Sequence, residues 1–122
     1  MPGKDSPAAP WPRLDPAERS AAVRAFFDRR ARVYDPVADR AYWGFSDRVL
    51  HELLRATLLD GLGDGEGVRI LDAGGGTGRW ALRLLRDLPR ATAVLADVSP
   101  GMLAVARRKS ERSGARGRLE LL

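Results

Sequence analysis

A chain of 122 residues, 44% of them hydrophobic, is long enough for one domain and too short for two. It contains no cysteine, no apolar run near the roughly 18 residues of a membrane span, and no hydrophobic stretch in its opening Met-Pro-Gly-Lys-Asp-Ser-Pro, so disulfides and thiolate chemistry are excluded, and a soluble cytoplasmic protein with neither a spanning helix nor a secretory signal is expected. The net charge of +5 comes almost wholly from arginines scattered among acids, a pattern that predicts solvated helix faces rather than a nucleic-acid surface.

Residues 1–14 hold four prolines among small polar residues and are expected to form a disordered tail. Asp15-Pro16-Ala17-Glu18 opens a helix with an acidic cap, proline at the first position and glutamate at the third. Ala22, Val23, Phe26, Phe27 and Ala31 keep helical spacing to about Val33, and Asp35-Pro36 interrupts it. After the aromatic segment Tyr42-Trp43-Gly44-Phe45, Ser46 is expected to cap a second helix ended by Gly61. Its buried stripe would be Val49, Leu50, Leu53, Leu54, Thr57 and Leu58. Gly61 to Gly67, with glycine at every second position, reads as a loop; no Gly-Lys-Ser/Thr follows, so it is no phosphate-binding P-loop. His51 has no second histidine four residues on and fits no metal motif.

From residue 66 onward the pattern alternates. Strand Val68 to Leu71 leads to a helix from Arg79 to Asp87. Strand Thr92 to Ala96 leads to a helix from Pro100 to about Ser113, stopped by Gly114, and Arg118 to Leu122 begins a third strand. This order predicts an α/β fold: a doubly wound, Rossmann-like parallel sheet, first three strands only, preceded by N-terminal helices.

The first of these strands ends in Asp72 and runs into Ala73-Gly74-Gly75-Gly76-Thr77-Gly78; the second is closed by Asp97. A strand feeding bare backbone, with a second carboxylate about 20 residues on, is the layout of a nucleoside-cofactor site. A dinucleotide fingerprint would place its third glycine where Arg79 stands, and Asp72 would repel a phosphate. S-adenosyl-L-methionine fits instead, because it has no phosphate, carries a sulfonium and an ammonium, and offers a ribose diol to Asp97.

Leu71-Asp72-x-Gly74-x-Gly76-Thr77-Gly78 resembles the first motif of the class I S-adenosylmethionine-dependent methyltransferases, and Ala96-Asp97-Val98-Ser99-Pro100-x-Met102-Leu103 resembles their second. The resemblance implies a cofactor site in which Asp72 bonds the ammonium directly or through water. In it Gly74 and Gly76 let the chain pass close, Asp97 accepts the ribose hydroxyls, Val98 and Met102 flank the adenine, and Ser99 caps the helix that follows. Asp72 as a cap of the turn, Asp97 as a helix cap, and Met102 as core remain alternatives. Phe27-Asp28-Arg29-Arg30-Ala31-x-x-Tyr34-Asp35 resembles members acting on small molecules, and its Tyr34-Asp35 pair resembles that of members whose N-terminal helical segment, here residues 15–62, folds over the cofactor as a lid; core packing of Tyr34 and of Trp43 in the aromatic segment remains an alternative. Residues 66–122 would then form the N-terminal half of the cofactor-binding domain. The family's sheet has about seven strands, so the chain is expected to be a fragment, a truncated product, or half of an assembly that a second copy or another chain completes. A non-catalytic cofactor-binding module and an RNA-associated protein or RNA methyltransferase are the rival readings; the general base is expected outside this chain.

Overall fold

The computed structural model describes residues 15–122, without the side chains of Tyr42 and Trp43; the expected tail, residues 1–14, lies outside the described residues, as does the side chain of Trp43. Helix α1 spans Pro16–Arg30. Its start is the capping box expected of Asp15 and Glu18: the Asp15 carboxylate accepts from the amides of Ala17 and Glu18 at 2.8 and 2.9 Å, and the Asp15 amide donates back to Glu18 at 3.1 Å.

A turn at residues 31–33 separates α1 from α2, Tyr34–Ala38. The helical run thus breaks before Asp35-Pro36, which lies in the first turn of the next helix instead of interrupting one. The first-turn amides of a helix have no partner within it, so a proline there removes nothing. A π-turn, Asp39–Trp43, then joins α2 directly to α3, Gly44–Thr57. Ser46 therefore lies inside a helix instead of capping one, and α3 gives way to a 3-10 turn, Leu59–Leu62, before Gly61 is passed.

The stripe assigned to the second helix is also overturned. Val49, Leu50, Leu53 and Leu58 are each about half exposed, whereas Asp47 is buried. What anchors α3 is a fork: the Arg79 guanidinium donates from Nε (3.1 Å) and Nη2 (2.5 Å) to Asp47 Oδ2. Of the expected stripe, Leu54 packs against the core.

The remainder follows the expected alternation. Strands β1 (Arg69–Ala73), β2 (Thr92–Ala96) and β3 (Leu119–Leu121) form a parallel sheet in the order β1-β2-β3. Between them run α4, Arg79–Asp87, and α5, Pro100–Arg112. The core lies where these helices meet the sheet: Leu85, Leu88, Ala93, Leu95 and Ala106 are almost wholly buried. Burying each such leucine stabilises the fold by about 1.5–3 kcal/mol. Arg118 closes the far end, its Nη1 donating at 3.0 Å to the carbonyl of Leu85, which the last turn of α4 leaves without a helical partner, and at 3.1 Å to that of Ala91, beyond the helix. Among the described residues no helix is long and apolar enough to cross a membrane.

Candidate functional site

Parallel pairing brings the carboxyl ends of β1 and β2 to one edge of the sheet, where doubly wound folds hold ligands. The glycine turn is tied there by the amide of Gly74, which donates to the Ala96 carbonyl at 2.7 Å. Asp97, just past β2, joins both loops: Oδ2 accepts from the Gly76 amide at 2.9 Å and Oδ1 from the Ser99 amide at 2.8 Å. Each carboxylate oxygen keeps a further lone pair for a ligand donor. A cavity of about 560 Å³ opens at this point, lined on the sheet side by Gly74, Gly76, Ala96, Asp97, Val98 and Met102, and roofed by Val23, Phe27 and Tyr34, with Leu122 beside them. That volume suits a cofactor-sized molecule.

Six of the seven residues expected at the site thus share one cavity. Asp72 does not line it. Its Oδ2 accepts from the Ala81 amide at 3.1 Å, in the first turn of α4, so its carboxylate sits behind the glycine turn in the capping position. Burial pushes its pKa up, the Ala81 amide opposes this, and the nearby charge of Asp97 adds to the rise. The glycines divide their tasks. Gly74 and Gly76 have φ of 72° and 56°, a region unfavourable to side chains. An added Cβ at Gly76 would face Asp97 and Met102 across the cavity wall. Gly75, not singled out in the sequence, is required by Asp72, whose Cγ would lie 2.6 Å from any Cβ there. Ser99 caps α5 as expected, accepting from the Met102 amide at 3.1 Å.

Sequence reasoning missed Val23 and Phe27 as lining residues, and it missed what Asp28 and Asp35 do. Asp28 Oδ1 accepts from Ser99 Oγ at 2.5 Å and the Gly101 amide at 2.8 Å. Asp35 accepts from Thr77 Oγ1 at 2.6 Å and pairs with Lys109 Nζ at 2.7 Å. The aromatic-acid doublets Phe27-Asp28 and Tyr34-Asp35 were the available signal. Arg79 is taken up by Asp47 and Asp39. His51 contacts Asp87 and lies beside Trp80, a structural setting.

A second cleft, about 550 Å³, lies between α4 and α5 and is lined by Arg79, Arg83, Arg86, Lys109, Arg112 and Arg118 along with Asp35 and Asp39. Most of these cations already have partners: Arg79 and Lys109 pair with acids, while Arg83 and Arg118 donate to carbonyls. A carbonyl partner leaves a guanidinium's charge in place, so the cleft keeps a net positive field.

The family model for the methyltransferase domain matches residues 70–122, the segment carrying the glycine turn and Asp97. The chain is 31% identical to the ubiquinone/menaquinone biosynthesis C-methyltransferase UbiE of Dinoroseobacter shibae, over 86% of this chain and 40% of that protein. The chain belongs to the S-adenosylmethionine-dependent methyltransferases. A release factor glutamine methyltransferase of Cereibacter sphaeroides is 35% identical over 88% of this chain and 42% of its own length. Among solved structures, the cyclase SpnF superposes with a TM-score of 0.66 at 26% identity, covering 84% of this chain and 41% of that one. The chain therefore spans about two fifths of the length of these relatives. That a cyclase shares this methyltransferase fold shows the reaction to be set by residues at the site, not by the architecture.

Proposed function

We propose that the protein transfers a methyl group from S-adenosyl-L-methionine to a small-molecule acceptor in the cytoplasm, and that this chain supplies the cofactor-binding half. The reading is carried by one observation: the glycine turn and Asp97, delivered by neighbouring strands, face the same roofed cavity together with Val98, Met102 and Tyr34. The donor set fits the group, because a carboxylate with free lone pairs suits a ribose diol and bare backbone at Gly74 and Gly76 leaves room for it. When bound, this cofactor supplies an already activated methyl on a sulfonium.

The task left to the chain is alignment and exclusion of water. Asp97 would hold the ribose, Val98 and Met102 would flank the adenine, and Tyr34 with Phe27 would roof the site. Asp72 would act from behind the turn, shaping it and adding negative field toward the cationic end of the ligand. A small acceptor is favoured over a protein side chain by the helical roof and by the likeness to UbiE. We also assign to further strands, from a second copy or another chain, the free edge of β1, where Leu71 is 71% exposed.

Calorimetry with S-adenosylhomocysteine tests the cofactor reading, with NADH as the contrasting ligand. Saturable binding of the first and none of the second is expected; the opposite preference would refute it.

A further inference from the structure

Two residues that roof the cavity, Phe27 and Tyr34, are each followed directly by an aspartate, and the two doublets stand seven residues apart. Their rings meet edge to face with centroids 6.1 Å apart. Neither aspartate lines the cavity. Asp28 instead grips the head of α5 through Ser99 and Gly101, and Asp35 grips the glycine turn through Thr77 while pairing with Lys109. Each roof aromatic is thus placed by a neighbouring acid bound to one of the two loops that form the floor.

Two further observations make the Asp28 bonds the principal hold on α1. Helix α1 has no buried residue, so an apolar face does not dock it in the usual way. And the approach of α1 to α5 depends on a missing side chain: a Cβ at Gly101 would lie 2.9 Å from Asp28 Oδ1 and 3.2 Å from Asp28 Cα. The Ser99 hydroxyl and then the Gly101 amide hold the Asp28 carboxyl below the ordinary range, as bonds made to the charged form do.

We infer that Asp28 and Asp35 are positioning residues, two latches that fix Phe27 and Tyr34 over the cofactor cavity by bonds made outside it. The inference rests on the proposed cofactor site and adds that affinity there is governed by residues the ligand never touches. Gly101→Ala and Lys109→Met separate the two latches without altering the cavity lining. The first also makes α5 a better helix, so any loss it causes does not come from melting α5.

In the 122-residue chain, each substitution is expected to weaken S-adenosylhomocysteine binding about tenfold by calorimetry, the size of effect that loss of one charge-assisted bond gives. Amide hydrogen exchange over residues 16–38 should rise while β1 and β2 stay protected. Asp28→Asn, which keeps an acceptor oxygen for Ser99 and Gly101, should bind within about twofold of the parent, and Asp28→Ala should not. Parent-like affinity in both Gly101→Ala and Lys109→Met overturns the latches, whether or not exchange changes. Should the parent chain bind no S-adenosylhomocysteine, the cofactor reading fails and exchange alone decides: faster exchange of residues 16–38 in the variants upholds the latches, and unchanged exchange overturns them.

Discussion

Gly76→Ala separates the cost of a backbone conformation from the cost of filling the ligand's space. At Gly76 φ is 56°, and an L-residue held in the left-handed region costs about 1–2 kcal/mol. A stiffer unfolded chain returns about 0.4–1 kcal/mol of that. The new methyl would stand 3.9 Å from Asp97 Oδ2 and 4.0 Å from Met102 Sδ, ordinary contact distances that the free protein accommodates without a shift. The net loss of stability is therefore about 1 kcal/mol, a fall in Tm of about 4–8 °C. In the complex the same methyl projects into a wall the ligand must approach, and overpacking of about 1–3 kcal/mol corresponds to binding weakened by about 5- to 150-fold. Gly114→Ala supplies the control, since Gly114 has φ of 71° and nothing within 4 Å of an added Cβ. It should lose comparable stability and no affinity. Thermal denaturation and calorimetry with S-adenosylhomocysteine measure the two quantities; equal affinities in the two variants would show that the ligand does not pass Gly76.

Three other substitutions probe the acids. Asp97→Ala deprives the Gly76 and Ser99 amides of their acceptor and should cost about 1–3 kcal/mol, together with at least a tenfold loss of nucleoside affinity, read by the same two assays. Asp72 has a folded pKa raised first by burial, so its charge begins to penalise the fold as pH rises past the unfolded value, and the full penalty is present at neutral pH. Asp72→Asn keeps an acceptor for the Ala81 amide and should raise Tm at pH 7 while leaving it unchanged at about pH 3, below the ordinary carboxylate range. Asp28 is the opposite case: its pKa is lowered first by Ser99, so the stability it contributes is complete above the unfolded value and vanishes as pH falls through the folded one. Hydrogen exchange in α1 should accelerate over that acid window, and Asp28→Ala should abolish the transition.

The parts legible in the sequence were those fixed by short-range rules. The Asp15 box, the limits of α4, strand β2 and the Ser99 cap follow from residues within a few positions of one another. The glycine turn and Asp97 were legible for a related reason: the bond from the Gly76 amide to Asp97 Oδ2 spans 21 residues, but the strand-turn-helix pattern places both of its ends. Asp28 to Gly101 spans 73 residues and Asp35 to Lys109 spans 74. No local propensity encodes a pairing at that distance, so the acids could be seen only as half of a motif, and their partners not at all.

The reading of α3 failed for a more general reason. Helical spacing of Val49, Leu50 and Leu53 establishes that they share a face; it says nothing about what meets that face. In this chain the face turned toward α4 carries Asp47, His51 and Leu54, the last one position from Leu53, because the guanidinium of Arg79 needs a carboxylate within reach. Burial of that acid and exposure of the leucines have the same origin. Arg79 is the first residue of α4, immediately after the glycine turn, so the fork to Asp47 and the further bond to Asp39 at 2.5 Å bind the helical segment to the start of the helix that follows the cofactor loop. The amphipathic pattern and the ion pair thus make competing claims on the rotation of α3, and the ion pair prevails where it can also fasten the roof beside the site.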